Sequence, residues 1–436
     1  MHCVRLFLIS VFLFIPLNTF ALEVNEYKLE NGLTVLIVEE HKAPVATFQV
    51  WYRAGSRYEP YGKSGLGHLL EHMMFKGTSR YSQKLFSRIV QNNGGTDNAY
   101  TTEDYTVYFQ TFPSDRVILS VDLEADRMQN LILDPQEILL EKNVVIEERR
   151  LEYEDNPQNS LFEEVVAASF KAHPYQRPVI GWISDLKSIR RDDLYDYYKA
   201  YYSPENAFIV VAGDIKADEM IGKIRSSFRN IPTGYPKKTS SFSEPEQRSE
   251  IRVLLRREAE LPYILIAYHT PSFPDEDCYA LEVLDMILSG GKSSRLYKSL
   301  VYEKNIALDA GSDYIGYNRD PYLFFIDATV SPGNDIKEVE DSIYAEIEKI
   351  TKEPPTEREI QKAKNQIESS FIMEQDSIDT LAERYGMFEI LGGWRLTDKY
   401  LECIRKVKPE DVLRVAKKYL KKDNRTVGIL IPTTGE

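Results

Sequence analysis

Apolar and polar residues along the chain follow two periods, one of about two residues and one of about 3.6. Alternation predicts strands in the first half at residues 27–29, 34–38, 47–52 and 207–211. Helical spacing predicts helices at residues 65–75, 83–92, 115–129, 136–154 and 192–201. The first two strands flank a turn at Glu30-Asn31-Gly32, which favours a tight hairpin.

The second half of the chain shows the same mixture of patterns. Strands are predicted near residues 263–268, 322–330 and 426–430, and helices begin at Asp275, Ser293, Asp335 and Glu410, with a long helix near 357–388. Hairpins grouped with runs of helices favour an α+β fold over a doubly wound parallel sheet. We therefore predict two α/β sandwich domains, each a mixed, largely antiparallel sheet packed with helices.

A repeat at a fixed offset indicates that the two domains are homologous. Polar and aromatic residues at the end of each half pair at an offset of 218 residues: Asp193 with Asp411, Tyr201 with Tyr419, and Asn206 with Asn424. The stretch between the halves is rich in Pro, Ser, Thr and charge, as linkers are. We predict a first domain at residues 22–232, a linker at 233–249 and a second domain at 250–436.

The first 21 residues have the pattern of a cleaved secretory signal peptide. Arg5 precedes an apolar run of about a dozen residues, which is shorter than the roughly 20 needed to span a bilayer, and Thr19-Phe20-Ala21 suits a cleavage site. We therefore expect a periplasmic or secreted protein with no membrane span after cleavage.

Charge and cysteine content narrow the class of protein further. The whole chain of 436 residues has a net charge of −14, and loss of Arg5 with the signal leaves −15, which argues against nucleic acid as a partner. After cleavage two cysteines remain, Cys278 and Cys403, too few for a disulfide framework. The sequence does not decide whether these two cysteines pair.

The stretch His68-Leu69-Leu70-Glu71-His72 places two imidazoles and a carboxylate on one face of a predicted helix. Histidines four residues apart can hold one zinc ion, and Glu71 then lies beside the open metal position as a general base. The alternative is an amphipathic helix whose histidines fall four apart by chance. Because the chain has only six histidines, we favour the metal site.

A catalytic zinc site needs a third protein ligand. Three carboxylates on the predicted helix at residues 136–154 are candidates: Glu141, Glu147 and Glu148. Glu141 and Glu148 are two turns apart and share a face, whereas Glu147 lies about 100° away from Glu148. Periodicity alone leaves both faces open.

With these motifs the chain resembles the pitrilysin/insulinase family of zinc peptidases, especially short members similar to mitochondrial processing peptidase subunits. The family's inverted His-x-x-Glu-His signature matches His68, Glu71 and His72. The resemblance implies one zinc ion per chain, with Glu148 as the third ligand. It also implies a supporting role at the catalytic centre for Glu141, which can orient a ligating histidine.

The stretch at residues 94–101 also matches the family, where it forms an edge strand that binds substrate backbone. The resemblance implies substrate-binding positions at Asn98, Ala99 and Thr101. An edge strand binds an added peptide mainly through main-chain hydrogen bonds, so it accepts varied sequences in extended form. The alternative is an ordinary hairpin with a Gly-Gly turn.

One part of the family pattern is missing. Active single-chain relatives have an Arg and a Tyr in the second half that hold substrate near the zinc, but here these positions fall on Tyr302 and Asp309. Neither residue can stabilise a developing oxyanion, and loss of one such donor typically costs about 10²–10³ in rate. The resemblance therefore implies a homologous partner subunit that supplies the Arg/Tyr pair, as a heterodimer or a homodimer.

The leading hypothesis is a zinc endopeptidase that cleaves peptides or unfolded segments inside a closed chamber. The alternative is a non-catalytic assembly subunit of the same family, although such subunits usually have broken metal motifs. We interpret three other histidines as structural residues rather than ligands: His41, His173 and His269.

Overall fold

The computed structural model describes residues 23–234 and 242–433. In this part of the chain two mixed β-sheets are each packed with helices, which confirms the predicted α+β class. The predicted signal peptide and part of the predicted linker lie outside the described residues, and the domain boundaries at 232 and 250 stay predictions. No helix of the described part is long and apolar enough to cross a membrane.

The first sheet has six strands in the order β1-β2-β6-β3-β5-β4. Its strands are β1 (Val24–Lys28), β2 (Thr34–Glu39), β3 (Val45–Tyr52), β4 (Thr96–Thr101), β5 (Thr106–Pro113) and β6 (Ala207–Gly213). Strands β2 and β6 are parallel, and all other neighbours are antiparallel. Strand β4 therefore lies at one edge, with only β5 beside it.

The second sheet has five strands in the order β7-β11-β8-β10-β9. Its strands are β7 (Ile251–Glu258), β8 (Tyr263–Thr270), β9 (Ala307–Tyr314), β10 (Tyr322–Val330) and β11 (Arg425–Thr433). Strands β7 and β11 are parallel and the rest are antiparallel. This order repeats that of β2-β6-β3-β5-β4, so the two sheets share one topology.

Fourteen α-helices surround the sheets in the described part of the chain. Those of the first half are α1 (Leu66–Met74), α2 (Leu85–Asn92), α3 (Ile118–Asn130), α4 (Pro135–Arg149), α5 (Pro157–Ser169), α6 (Ile183–Ser188), α7 (Arg191–Tyr201) and α8 (Ala217–Phe228). Those of the second half are α9 (Asp277–Ser289), α10 (Ile336–Lys352), α11 (Glu357–Met373), α12 (Ile378–Leu391), α13 (Leu396–Lys406) and α14 (Pro409–Tyr419).

Three helices predicted from periodicity differ in the structure. The predicted helix at 357–388 is two helices, because Ser377 caps a new N-terminus with its side chain on the Thr380 N–H. The helix predicted from Ser293 takes π-helical form at Tyr297–Glu303. Helix α4 ends earlier than predicted and continues as a π-helical turn at Arg150–Glu154.

The residues that repeat at an offset of 218 make equivalent hydrogen bonds at the ends of α7 and α14. The side-chain amide of Asn206 donates to the Tyr201 carbonyl at 2.9 Å, and that of Asn424 donates to the Tyr419 carbonyl at 2.8 Å. Asp193 and Asp411 likewise accept the backbone N–H three residues earlier, at 2.7 Å and 3.0 Å. The same hydrogen bonds therefore occur at the two ends of α7 and at the two ends of α14. This agreement is expected if the two halves are homologous.

One helix of each half packs on the sheet of the other half. Helix α12 covers the outer face of the first sheet, where Tyr385 packs in one cluster with Trp51 and Phe208. Helix α5 covers the outer face of the second sheet through Leu161 and Val165. This exchange buries both faces of both sheets and fixes the first half against the second.

Candidate active site

Helix α1 carries the His-x-x-Glu-His motif. It begins after Gly65, whose φ of +84° lies in the left-handed region that favours glycine. Leu69, Leu70 and Met73 are fully buried in the core of the first half. This apolar face fixes the rotation of α1, so that the polar residues of the motif face α4.

Three side chains converge where α1 meets α4. The Nε2 atoms of His68 and His72 lie 3.7 Å and 3.4 Å from the two carboxylate oxygens of Glu148. One ligand atom from each of the three residues lies within 4.8 Å of the others. Within residues 23–234 and 242–433, this is the one group of His, Cys, Asp or Glu that could hold a metal ion.

This donor set fits a zinc ion. Two imidazoles and one carboxylate are the protein ligands of one common type of catalytic zinc site, and bonds of about 2.0–2.2 Å give donor separations of about 3.3–3.6 Å in a tetrahedron. Burial lowers the pKa of His68 to about 4, helped by His72 and opposed by Glu148, so this ring is neutral and able to ligate. A hydrogen bond from His72 holds the pKa of Glu148 below its ordinary value.

Helix α4 presents Glu141 and Glu148 to α1 and turns Glu147 away. The Glu147 side chain is 62% exposed and pairs with Arg150. Asp134 caps the start of α4 by accepting from the backbone N–H groups of Gln136 and Glu137. Of the two faces that periodicity left open, the one with Glu141 and Glu148 therefore lies beside the histidines.

Glu141 orients one of the histidines. Its Oε2 lies 3.0 Å from His72 Nδ1, and its other oxygen forms an ion pair with Lys76. Although burial acts to lower it, hydrogen bonds to Glu148 and Glu141 raise the pKa of His72 overall. Glu141 is thus placed to position His72 rather than to touch substrate. Lys76 lies two residues beyond the end of α1, where the helical pattern of the sequence no longer marks a face.

Glu71 is a buried carboxylate beside the metal ligands. Its side chain accepts a hydrogen bond of 2.6 Å from Thr101 Oγ1, and burial raises the pKa of Glu71 above its ordinary value. The hydroxyl of Thr101 contacts Glu71 in the structure, and the substrate-binding role of Thr101 stays a prediction. This contact links the end of β4 to the candidate base.

Strand β4 offers its second edge beside α1. The backbone N–H of Ala99 donates to the side-chain oxygen of Asn98 at 2.9 Å, so it is free of β5 and available to an added strand. Tyr100 donates to Glu383 of α12 at 2.6 Å. The second half of the chain therefore holds the position of this edge strand.

Tyr302 and Asp309 stand at the positions where the resemblance expects an Arg and a Tyr. Tyr302 is 79% exposed, and the carboxylate of Asp309 accepts the Thr329 N–H at 2.9 Å, where the register of β9 and β10 shifts. The two cysteines of the described residues, Cys278 and Cys403, are free thiols. The other three described histidines bond to protein groups: His41 to Asp214, His173 to Asp320 and His269 to the Ser169 carbonyl.

Two histidines and a buried glutamate lie on one helix, a second helix places a carboxylate beside the histidines, and the two sheets share one topology. This arrangement is typical of two-domain zinc metallopeptidases. A family model described as "Insulinase (Peptidase family M16)" matches residues 34–182. A second model, described as "Peptidase M16 inactive domain", matches residues 188–367. The chain belongs to the insulinase family, peptidase family M16. The second match runs from the end of the first half into the second and contains none of His68, His72 and Glu148.

Similar proteins support this placement. The zinc protease PqqE of Helicobacter pylori is 32% identical over 93% of this chain and 92% of its own length. The mitochondrial-processing peptidase subunit beta of Lentinula edodes is 29% identical over 90% of this chain and 86% of its own length. The crystal structure of a protease from Helicobacter pylori superposes with a TM-score of 0.90 at 30% identity, covering 94% of this chain and 100% of that chain.

Proposed function

We propose that this protein is a zinc-dependent endopeptidase that cleaves peptides or unfolded segments. The observation that carries the proposal is the convergence of His68, His72 and Glu148 beside the buried carboxylate of Glu71. Relatives named zinc protease support both the metal and the reaction. A zinc ion held by these three residues would polarise a substrate carbonyl and make water a stronger nucleophile at neutral pH.

Glu71 is the general base of this proposal. Its carboxylate takes a proton from the attacking water and delivers it to the amine that leaves when the peptide bond breaks. Burial raises the pKa of Glu71, which brings the proton affinity of the group closer to that needed near neutral pH. The Thr101 hydroxyl holds one carboxylate oxygen in place while the other is free to reach the water.

Strand β4 is the proposed binding surface for substrate. A peptide added antiparallel to this edge would displace the Asn98 side chain from the Ala99 N–H and bond to the backbone instead. Because main-chain groups give most of this binding, the site would accept many sequences in extended form. Folded proteins, whose backbone groups are already paired, would be poor substrates.

We further propose that a homologous partner subunit, within a closed chamber, supplies the Arg/Tyr pair. Tyr302 and Asp309 replace that pair here, and the relatives include a mitochondrial-processing peptidase subunit beta. A chain purified alone as a monomer should then be a poor peptidase, and addition of the partner should raise kcat. Full activity in a proven monomer would refute the division of labour.

The central experiment replaces Glu71 by Gln. We expect Glu71→Gln to retain about one zinc per chain and to lose peptide cleavage, because the amide cannot accept the proton. Glu147→Gln is the matched control on α4, since its exposed side chain is turned away from the ligands. Cleavage retained by Glu71→Gln would remove this residue as the base. Zinc bound without activity, alone or with the partner, would favour a non-catalytic assembly subunit.

We also propose that residues 1–21 direct the chain to the periplasm or outside the cell. Those residues lie outside the described part, so the proposal depends on the sequence pattern of Arg5, the apolar run and Ala21. N-terminal sequencing of the protein from its native host should begin near Leu22. A native chain that retains Met1 in the cytoplasmic fraction would contradict the assignment.

A further inference from the structure

The two histidines of the metal site are held in different ways. The Nδ1 atom of His72 lies 3.0 Å from Glu141, whereas the Nδ1 atom of His68 is buried and has no hydrogen-bond partner in the described part of the chain. A ligating histidine almost always donates its second ring N–H, which fixes the tautomer and the ring orientation. The orientation of His68 must therefore come from its backbone and its packing.

A buried carboxylate holds the backbone just before His68. Glu59 Oε2 accepts the Gly65 N–H at 3.0 Å, and Glu59 Oε1 accepts the Gly67 N–H at 2.7 Å. These N–H groups belong to the first turn of α1 and have no partner inside the helix. Glu59 is only 5% exposed, so solvent does not compete strongly for the contact.

The contact has little freedom to shift. A Cβ atom built on Gly67 would lie 3.3 Å from Glu59 Oε1 and 3.3 Å from the Tyr197 hydroxyl. A Cβ atom on Gly65 would lie 2.5 Å from the Ile180 carbonyl oxygen. The Tyr197 side chain and the Ile180 backbone thus leave the first turn of α1 little room to move relative to the Glu59 side chain.

We propose that Glu59 is a positioning residue for His68. Glu59 sets the ring through the backbone of the first helical turn, whereas Glu141 sets the ring of His72 by a direct hydrogen bond. The inference rests on the proposed function, since it requires His68 to be a metal ligand. It assigns to Glu59 an effect on metal geometry in addition to any effect on stability.

The test replaces Glu59 by Gln, which keeps the size of the side chain. The amide has one acceptor oxygen and one NH₂ donor, so one of the two backbone N–H groups loses its partner. We expect zinc affinity, measured by chelator competition, to fall about 10–100-fold, as for other residues that support metal ligands. With Co²⁺ in place of zinc, the visible absorption bands should change in position and intensity, because they report ligand geometry.

A matched control separates positioning from stability. Asp277 is a buried carboxylate in the second half that accepts from Arg414, Lys418 and Tyr419, and it has no contact with the metal site. Asp277→Asn should lower the melting temperature and leave zinc affinity and the cobalt spectrum unchanged. If Glu59→Gln does not fold, Gly67→Ala tests the same contact, because its methyl group presses on Glu59 Oε1.

The outcomes are distinguishable. Wild-type zinc affinity and an unaltered cobalt spectrum in a folded Glu59→Gln or Gly67→Ala variant would overturn the role of Glu59 and leave the proposed function intact. A wild-type chain that binds no zinc would overturn both. Weakened affinity with an altered spectrum in these variants, and neither change in Asp277→Asn, would establish the positioning role.

Discussion

The packing of α12 on the first sheet makes Gly386 a sensitive position. A Cβ atom built there would lie 2.2 Å from Cε2 and 2.3 Å from Cζ2 of Trp51, distances that real Cβ atoms do not adopt. Trp51 is fully buried and stacks on Phe208, with ring centroids 5.7 Å apart, so it cannot easily move. Gly386→Ala therefore forces α12 away from the sheet.

The net effect on stability follows from two opposing terms. Overpacking a core typically costs about 1–3 kcal/mol, and replacing glycine by alanine inside a helix returns about 0.5–1 kcal/mol. We expect Gly386→Ala to lower the free energy of unfolding by about 1–2 kcal/mol. Gly222 in α8 is the matched control, because a Cβ atom there meets nothing within 4 Å. Gly222→Ala should raise stability by about 0.5–1 kcal/mol.

Equilibrium unfolding in guanidinium chloride, followed by tryptophan fluorescence, measures both variants. The midpoint should move to lower denaturant for Gly386→Ala and to higher denaturant for Gly222→Ala, at an unchanged slope. Because α12 also carries Glu383, which binds Tyr100 of β4, Gly386→Ala should raise KM for peptides as well. If Gly386→Ala were as stable as Gly222→Ala, α12 would not lie close enough to Trp51 to exclude a methyl group at residue 386.

Three further predictions follow from single contacts. Glu148→Gln should reduce zinc affinity at least tenfold in a chelator competition and Glu147→Gln should not, because only Glu148 faces the histidines; equal losses would contradict the assignment. Thr101→Val should lower kcat/KM about 10–100-fold, since a hydrogen bond to a charged group is worth about 1.5–3 kcal/mol; an unchanged value in steady-state assays would show that this hydroxyl does not position Glu71. Burial raises the pKa of Glu282 to about 7, so the folded chain keeps a proton that the unfolded chain loses near pH 4.5, and stability should fall by about 3 kcal/mol as pH rises from 4.5 to 7. Thermal unfolding at both pH values should show a smaller fall for Glu282→Gln, and an equal fall would place the effect elsewhere.

The parts of the fold that the sequence predicted are those with a strong local pattern. The hairpin at Asn31-Gly32, the motif helix α1 and the capped helix α7 were all predictable, because periodicity and capping residues specify them within a few positions. For the third metal ligand, the same reasoning left two faces of α4 as candidates, one with Glu141 and Glu148 and one with Glu147. The family resemblance then selected one of them.

The parts that escaped prediction depend on contacts distant in sequence. The break before Ser377 interrupts a continuous helical pattern, because α12 must pack on the first sheet while α11 remains with the second. Glu59 lies in the loop before α1 and binds the first turn of that helix. Thr101 lies at the end of β4, and its hydroxyl binds Glu71 of α1. No local periodicity marks either residue, since each acts on a helix from outside it.

The second half contributes to the active site although its described residues include no metal ligand. Helix α12 holds strand β4 through the Tyr100–Glu383 hydrogen bond, and its Asp379 binds Thr111 and Gln49 of the neighbouring strands. A first half expressed alone would lose these contacts and expose the apolar outer face of its sheet to water. The first half should therefore require the second half in order to fold with β4 in place.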